Sequence, residues 1–396
     1  MPAHEPRPEG GGFWNERKNA AVFKHAVLDG YLPVFATKTG TYSRGHRVVY
    51  FDGYAGQGRY DDGTEGSPVI AAKIAETLGA RTSRRGLELF LVEQRKTQFR
   101  RLAQVMAQMA PASPPMIRHG DAGDFIDEVL GFAADSPLFA LLDPYGLGLP
   151  MRSVVQLMKR PRDRSGRPPT EVLINFSDIA VRRIGGLLTA ATRKAPEEVT
   201  LMRMDDVCGG NWWRAAYTSE RRNANGVAAV VDGYRRRLCG ATGSKDWTVP
   251  VRNRAHQEPR YFLVFLTRHP DGLWEFGENV SRALAKWRNA CDAAWLGVAP
   301  EEVAGALLLD SEDLLEHEWI KEIEANITGL IASRRSPFAV RQQYAAILGS
   351  SLGLARSMHI RTAVKNLYER GVTETDGKGD VATMIILPPH RPSLVG

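Results

Sequence analysis

A doubly wound α/β sheet domain followed by a smaller helical domain is the fold class this sequence predicts. Three observations predict it. Short apolar runs recur through residues 48–176, each closing on an acidic residue or a turn, with helical patterns between them. The first run, Val48-Val49-Tyr50-Phe51, ends in Asp52 and a turn carrying Gly53, Gly56 and Gly58. Beyond residue 300 the pattern changes to three amphipathic helices and a hairpin signal. The chain of 396 residues is long enough for two domains. We divide it into a flexible tail (1–12), a sheet domain (13–300) with a helical insertion at about 179–238, and a C-terminal domain (301–396).

Phe13 to Leu32 reads as a helix, with Trp14, Ala21, Phe23, Val27 and Leu28 on a shared face and Lys24-His25 within it. This helix is expected to cover the ligand cleft or to present a solvated pair. The first strand and glycine turn follow, then Gly66-Ser67-Pro68 and a helix from Val69 to Leu78. Glycine tolerates positive φ and lets the backbone approach a ligand over the carboxyl end of the strand. The order is neither G-x-G-x-x-G nor a Walker loop, which excludes those two phosphate-binding motifs.

Leu87 to Val92 is the second strand, and its terminal Glu93 is placed to accept from ribose hydroxyls. The Arg81 to Arg85 loop absorbs the extra length before it, and Phe99, Leu102, Val105 and Met106 mark the helix after it. Met116 to His119 is a third strand, and Asp121 just beyond it either meets a ligand's base or caps the helix Asp124 to Phe132. Leu138 to Leu142 is the fourth strand and runs into Asp143-Pro144-Tyr145-Gly146. Proline restrains the preceding residue to an extended form, which fixes Asp143 at the mouth of the cleft. A fixed acceptor beside an aromatic ring suits a planar substrate with an exocyclic amine.

Glu171 to Phe176 is the fifth strand, preceded by a basic, proline-rich loop from Arg160 to Pro169. Residues 179–238 read as helix, with Trp212-Trp213 and the arginine clusters Arg182-Arg183, Arg221-Arg222 and Arg235-Arg236-Arg237. Interleaved arginine and aromatic residues stack on and neutralise a nucleic-acid strand, or form a solvated helical face over a buried tryptophan pair. Asp246 to Val251 and Tyr261 to Leu266 form an antiparallel pair at the sheet edge, where Pro250 is tolerated. A helix from Asn279 to Trp295 is expected to finish the sheet domain.

In the C-terminal part, helices span Leu314 to Ile331, Ala339 to Leu348 and His359 to Tyr368. Val372 to Thr375, the Asp376 to Gly379 turn and Val381 to Leu387 give the hairpin signal. Three helices and a β-ribbon make a winged helix-turn-helix pattern, whose third helix carries His359, Arg361, Lys365 and Asn366. That module binds nucleic acid or docks a protein.

Composition narrows the class. The net charge of +7, with a pI near 9.3, favours an acidic partner such as nucleic acid. No apolar run is long enough to span a bilayer, and the polar start with Pro6, Pro8 and Gly10 to Gly12 is unlike a signal peptide. Cys208, Cys239 and Cys291 are widely spaced, with no metal or iron–sulfur pattern, which predicts a reduced, cytoplasmic setting.

The order of elements resembles the Rossmann-like, mixed sheet of class I S-adenosylmethionine (SAM) methyltransferases. Three blocks are similar to the three-Cys-motif partner family (TcmP): Tyr50-Phe51-Asp52-Gly53-Tyr54-Ala55-Gly56-Gln57-Gly58 with Gly66-Ser67-Pro68, Leu142-Asp143-Pro144-Tyr145-Gly146, and Glu171-Val172-Leu173-Ile174-Asn175-Phe176. With the Lys24-His25 helix, the likeness covers residues 13–270 approximately. It implies SAM as cofactor and a radical-SAM protein with a three-cysteine motif as partner. It implies that Asp52, Gly53, Ala55, Gly56 and Gly58 hold the methionine end, Glu93 the ribose and Asp121 the adenine. Asp143-Pro144-Tyr145 resembles the Asp/Asn-Pro-Pro-Tyr/Phe motif of enzymes that methylate exocyclic amines, without its second proline; the Asp-Pro-Phe-Gly of guanine-N2 tRNA methyltransferases is nearer.

Two functions of different class follow. One is methyl transfer to DNA or RNA in modification or repair, with Asp143 accepting from the target amine and Tyr145 stacking on an extruded base. The other is a non-catalytic partner that binds nucleic acid through Arg235, Arg236, Arg361 and Lys365. A third reading is a nuclease with Asp52, Glu93, Asp121 and Asp143 around a divalent ion.

Overall fold

The structure is a computed structural model and describes residues 12–80, 86–109, 111, 113–144, 146–160, 166, 168–190, 192, 194–220, 226–252, 258–296 and 309–389. The chain divides into two compact units, Lys24–His269 and a second built from Met1–Phe23 with Pro270–Gly396. The expected tail (1–11), the Arg81 to Arg85 loop, most of the Arg160 to Pro169 loop, Tyr145 and Arg221-Arg222 lie outside the described residues.

The first unit is built on seven strands: β1 (Arg47–Asp52), β2 (Gly86–Glu93), β3 (Met116–His119), β4 (Leu138–Leu142), β5 (Thr170–Ser177), β6 (Lys245–Val251) and β7 (Tyr261–Thr267). Their spatial order is β3-β2-β1-β4-β5-β7-β6. The first five run parallel and β7 lies antiparallel to both β5 and β6. This is the doubly wound, methyltransferase-like sheet with its terminal antiparallel pair, as the sequence predicts. Pro250 sits on the outermost strand, where a missing donor costs least.

The helices are α1 (Gly12–Gly40), which runs longer than predicted and through Pro33, α2 (Ser67–Gly79), α3 (Lys96–Met109), α4 (Ile126–Ala133), α5 (Met151–Met158) and four helices after β5. Those four are α6 (Asp178–Gly186), α7 (Ala195–Cys208), α8 (Trp212–Glu220) and α9 (Gly226–Thr242). Strands β1 and β4 are buried on both faces, as parallel strands covered by helices must be. On one face Val49, Phe51, Val92 and Ile174 pack with Val154, Leu201 and Val231 of α5, α7 and α9. On the other, Tyr31 of α1 packs its ring against Phe139 and Phe265 at 5.9 and 5.3 Å between centroids. Tyr31 also donates to the buried Glu171 at 2.8 Å.

The second unit contains α10 (Pro270–Leu296), α11 (Leu309–Arg334), α12 (Tyr344–Leu348) and α13 (Ser357–Glu369). The helix expected to finish the sheet domain is α10, and it groups with the C-terminal chain. Its Asp271 pairs with Arg341 at 2.6 Å, and its Glu278 accepts from the backbone N–H of Ser357 at 2.6 Å. The expected second helix begins later than predicted, because Phe338–Ala339 is a short strand, β8, and Val340–Gln343 a 3-10 turn. The predicted hairpin takes a different form. Asp380 caps a 3-10 turn over Val381–Thr383 by accepting from the N–H of Ala382, so this stretch curls. Ile385–Ile386 (β9) then pairs antiparallel with Phe338–Ala339, while Glu374 donates its N–H to Leu387 at 3.1 Å. Among the described residues no helix is long and apolar enough to cross a membrane.

Candidate active site

The site is assembled at the carboxyl ends of β1 to β5. Asp52 is fully buried at the end of β1. One of its oxygens accepts from the Tyr50 hydroxyl at 3.0 Å and the Ser67 hydroxyl at 2.7 Å, the other from the Tyr54 N–H at 3.1 Å. Burial pushes its carboxyl up to about 6, against the pull of these hydrogen bonds. The turn then crosses to β2, where Ala55 donates to Val92 O at 2.9 Å and Gly56 donates to Glu93 Oε2 at 2.9 Å. Gly56 and Gly58 take φ of 65° and 82°, which explains glycine at both positions.

Glu93 is 5% exposed, and its second oxygen accepts from the N–H of Arg95 at 2.6 Å. Asp121 caps the 3-10 turn Ala122–Phe125 by accepting from the Gly123 N–H at 2.8 Å, and its other oxygen lies 3.4 Å from Gln94 Nε2. Asp121 is therefore a cap, and it also borders a cleft.

That cleft has a volume of about 280 Å³. Glu93 and Asp121 line one side with Tyr54, and Pro144, Gly146 and Leu147 of the β4 loop line the floor. Arg203, Asp206 and Val207 of α7 close it from the insertion. Sequence reasoning missed Tyr54, Arg203 and Asp206. Tyr54 stands inside a quoted motif, whereas nothing in the helical pattern of α7 marks which turn faces the cleft.

Asp143 turns toward α1. It accepts from Lys24 Nζ on one oxygen and from Asn175 Nδ2 at 2.5 Å on the other. The Lys24 and Asp143 side chains are 13% and 16% exposed. Burial alone would lower the Lys24 ammonium, but Asp143 beside it, with Tyr261 and Tyr60, raises it above its ordinary value. His25 goes the other way: burial, then the Lys24 charge, hold its imidazole down to about 4. Lys24 is thus a lock on the β4 loop, His25 lies beside the Tyr60 ring, and a solvated pair is excluded. Asn175, the one polar residue near the end of an apolar strand, was in view in the sequence but not singled out.

The four strand-end acids do not form a metal centre. Among the described residues, no group of three or more His, Cys, Asp or Glu side chains could hold a metal ion.

The basic residues divide between the units. Arg235 pairs with Asp232 and with Asp246 at 3.2 Å, and Arg236 pairs with Asp232 at 2.7 Å. Arg237 stacks over the Trp212 ring at 3.8 Å, and Trp213 is buried, donating to Asp205 at 2.7 Å. Much of the arginine–tryptophan cluster is therefore satisfied within the fold. On α13, Arg361 and Lys365 are exposed with Thr362 and Tyr368 on the same side. Arg361 donates to Gly379 O at 2.8 Å, and Lys365 is 3.8 Å from Glu369. His359 is buried beside Glu316 at 3.3 Å and accepts from the Arg356 N–H, and Asn366 donates to Glu324 at 2.7 Å. Those two serve the core of the unit, so they drop out of the predicted recognition face.

No protein-family model and no curated protein matches the chain. Among solved structures, it is similar to the O-methyltransferase TomG of Streptomyces achromogenes, solved with SAM, at 12% identity over 65% of this chain and 92% of that one, with a TM-score of 0.33. It is similar to the magnesium protoporphyrin IX methyltransferase ChlM of Synechocystis, solved with S-adenosylhomocysteine (SAH), at 10% identity over 66% and 90%, with a TM-score of 0.33. An rRNA methylase of Streptococcus thermophilus is similar at 7% identity over 56% and 86%, with a TM-score of 0.26. These scores are low, and the fold assignment stands on strand order and register.

Proposed function

We propose that the sheet unit is a SAM-dependent methyltransferase acting on nucleic acid. The observation that carries this reading is the juxtaposition of Glu93 and Asp121 on one cleft, beside the Asp52 to Gly58 turn. The donor set fits the cofactor. A buried carboxylate at the end of β2 suits ribose hydroxyls, and a carboxylate at the end of β3 suits an exocyclic amine on adenine. Leu147, Pro144 and Val207 offer an apolar bed for the base. SAM, when bound, supplies an electrophilic methyl carbon. The chain's own task is alignment: the Asp52 network fixes the turn, Glu93 ties that turn to β2, and Lys24 fixes the β4 loop at the acceptor end.

The C-terminal unit is a winged helix-turn-helix module, with Arg361 and Lys365 of α13 facing nucleic acid. A radical-SAM protein with a three-cysteine motif is the partner, in modification or repair of DNA or RNA, in the cytoplasm. Tyr145 stacks on the target base. A second reading, a docking partner without turnover, is favoured by one observation: both oxygens of Asp143 are already engaged.

Calorimetric titration with SAM and SAH tests the cofactor. Micromolar binding is expected, weakened at least tenfold in Glu93→Ala and in Asp121→Ala, with melting curves confirming that both variants fold. Absence of binding to the intact chain would end the methyltransferase reading. Nucleic-acid affinity that falls steeply with salt, without methyl transfer, would favour the docking reading.

A further inference from the structure

The engagement of Asp143 has a consequence for where a substrate is held. A carboxylate offers only acceptors, so the contact with Asp143 decides which end of the Asn175 amide faces it: the NH₂ group donates, and the carbonyl Oδ1 points elsewhere. That oxygen is buried and has no hydrogen-bond partner among the described residues. Buried polar atoms are nearly always paired, so an acceptor held in one orientation with nothing to accept marks a place built for a donor. The hold is rigid, because Lys24 clamps the far oxygen of Asp143.

The location is suited to a substrate group. Asn175 lies on β5 between the buried Ile174 and Phe176. With Leu142, Pro144, Phe176 and Tyr234 it lines a cavity of about 20 Å³, room for one water-sized group. Pro144, Gly146, Leu147 and Val207 are shared between this cavity and the cleft of Glu93 and Asp121. The orphan acceptor and the cleft are thus neighbours across one loop.

We propose that Asn175 Oδ1 accepts a hydrogen bond from the exocyclic amine of a nucleobase, and that Lys24 and Asp143 are its positioning residues. This rests on the methyltransferase reading and assigns the acceptor to Asn175 in place of Asp143. The chemistry favours an amine over a hydroxyl. An alcohol must lose its proton to a base as it attacks, and the groups linked to Oδ1 are poor bases: the Asn175 amide is neutral, the Lys24 ammonium is held protonated, and the Asp143 charge is taken up by Lys24 and the Asn175 amide. An amine attacks with its own lone pair. Its N–H, held by Asn175, turns that pair toward the methyl carbon. The N–C bond forms as the C–S bond breaks with its electrons going to sulfur, and the extra proton then leaves the nitrogen for solvent.

The experiment uses the full chain, SAM, and single-stranded DNA and RNA oligonucleotides containing all four bases, with product nucleosides resolved by mass spectrometry. Methylation on an exocyclic nitrogen is expected. Asn175→Leu should lower kcat at least hundredfold while leaving SAH affinity and melting temperature within twofold and a few degrees. Lys24→Met should lower kcat at least tenfold, and Lys24→Arg should restore most of it, which a merely structural role in folding would not require. Methylation on oxygen, carbon or a ring nitrogen overturns the inference, as does full activity in Asn175→Leu. SAH binding without methylation of any oligonucleotide also overturns it while the cofactor reading stands. Absence of SAH binding removes the cofactor reading itself, and the inference falls with it.

Discussion

The two ends of the site are held by different means. At the Glu93 end each carboxylate has a neighbour in sequence among its donors, Tyr50 and Tyr54 for Asp52, the N–H of Arg95 for Glu93 and the N–H of Gly123 for Asp121, beside more distant ones from Ser67 and Gly56. At the Asp143 end the fixing groups come from afar, Lys24 from 119 residues away and Asn175 from 32. Local hydrogen bonds set part of the first end, and the contacts of Gly56 with Glu93 and of Ser67 with Asp52 complete it once β1, β2 and α2 have met. The second end exists only when α1, β4 and β5 have come together, so it reports on the assembled fold. The Glu93 end is therefore set in part by local bonds, while the Asp143 end depends on one partly buried ion pair.

The largest effect is expected at Lys24. Lys24→Met removes the cation and leaves Asp143 in a poorly hydrated position with one partner. Loss of one member of a buried pair costs about 3–5 kcal/mol, and the residual exposure of both side chains brings the expectation to about 2–3 kcal/mol. The double variant Lys24→Met/Asp143→Asn should cost less than Lys24→Met alone, since it removes the uncompensated charge. Chemical denaturation of the three proteins measures both effects. A Lys24→Met cost under about 0.5 kcal/mol, at the level of an exposed pair, would show that the two ends do not differ in this way.

The same division explains what was legible in the sequence. Strand ends, the glycine turn and the acids at positions 52, 93 and 121 follow from short-range patterns, and the structure places them as those patterns require. The Lys24–Asp143–Asn175 chain could not be read, because nothing in a local pattern says which helix turn will lie over which loop. The roof formed by Arg203 and Asp206 was hidden for the same reason. For the arginine–tryptophan stretch composition suited nucleic acid or a helical face over a buried tryptophan pair, and Asp205, Asp232 and Asp246 neutralise much of it. In the C-terminal unit the Asp380 cap competes with strand formation, so a hairpin signal yields a 3-10 turn and a strand paired elsewhere.

A second long-range contact, at Glu171, depends on pH. Glu171 lies near the start of β5, away from the cleft, and is 6% exposed. Burial pushes its carboxyl up to about 7 although Thr267 and Tyr31 donate to it. The folded value lies above the unfolded one, so the folded chain holds the proton through the interval between them. Stability from this group is full below the ordinary glutamate value and is lost as pH rises to about 7. Glu171→Gln removes that loss. The stability of the variant relative to the parent should rise by on the order of 2–3 kcal/mol between pH 4 and pH 8. Denaturation midpoints at four pH values test it, and a difference that stays constant with pH would reject the assignment.

The smallest effect is expected at the glycine turn. Gly56 has φ of 65°, and a Cβ there would meet no atom within 4 Å. Gly56→Ala therefore adds backbone strain without a clash, about 1 kcal/mol in stability. Its N–H holds Glu93, so a turn that relaxes to relieve the strain also moves the carboxylate proposed to meet ribose. SAH affinity should fall threefold to tenfold while the effects of Lys24→Met remain additive to it, because among the described residues the two ends share no hydrogen bond. The double variant Lys24→Met/Gly56→Ala decides the point: a coupling energy within about 0.5 kcal/mol of zero keeps the ends independent, and a larger one would mean that the turn and the β4 loop move together.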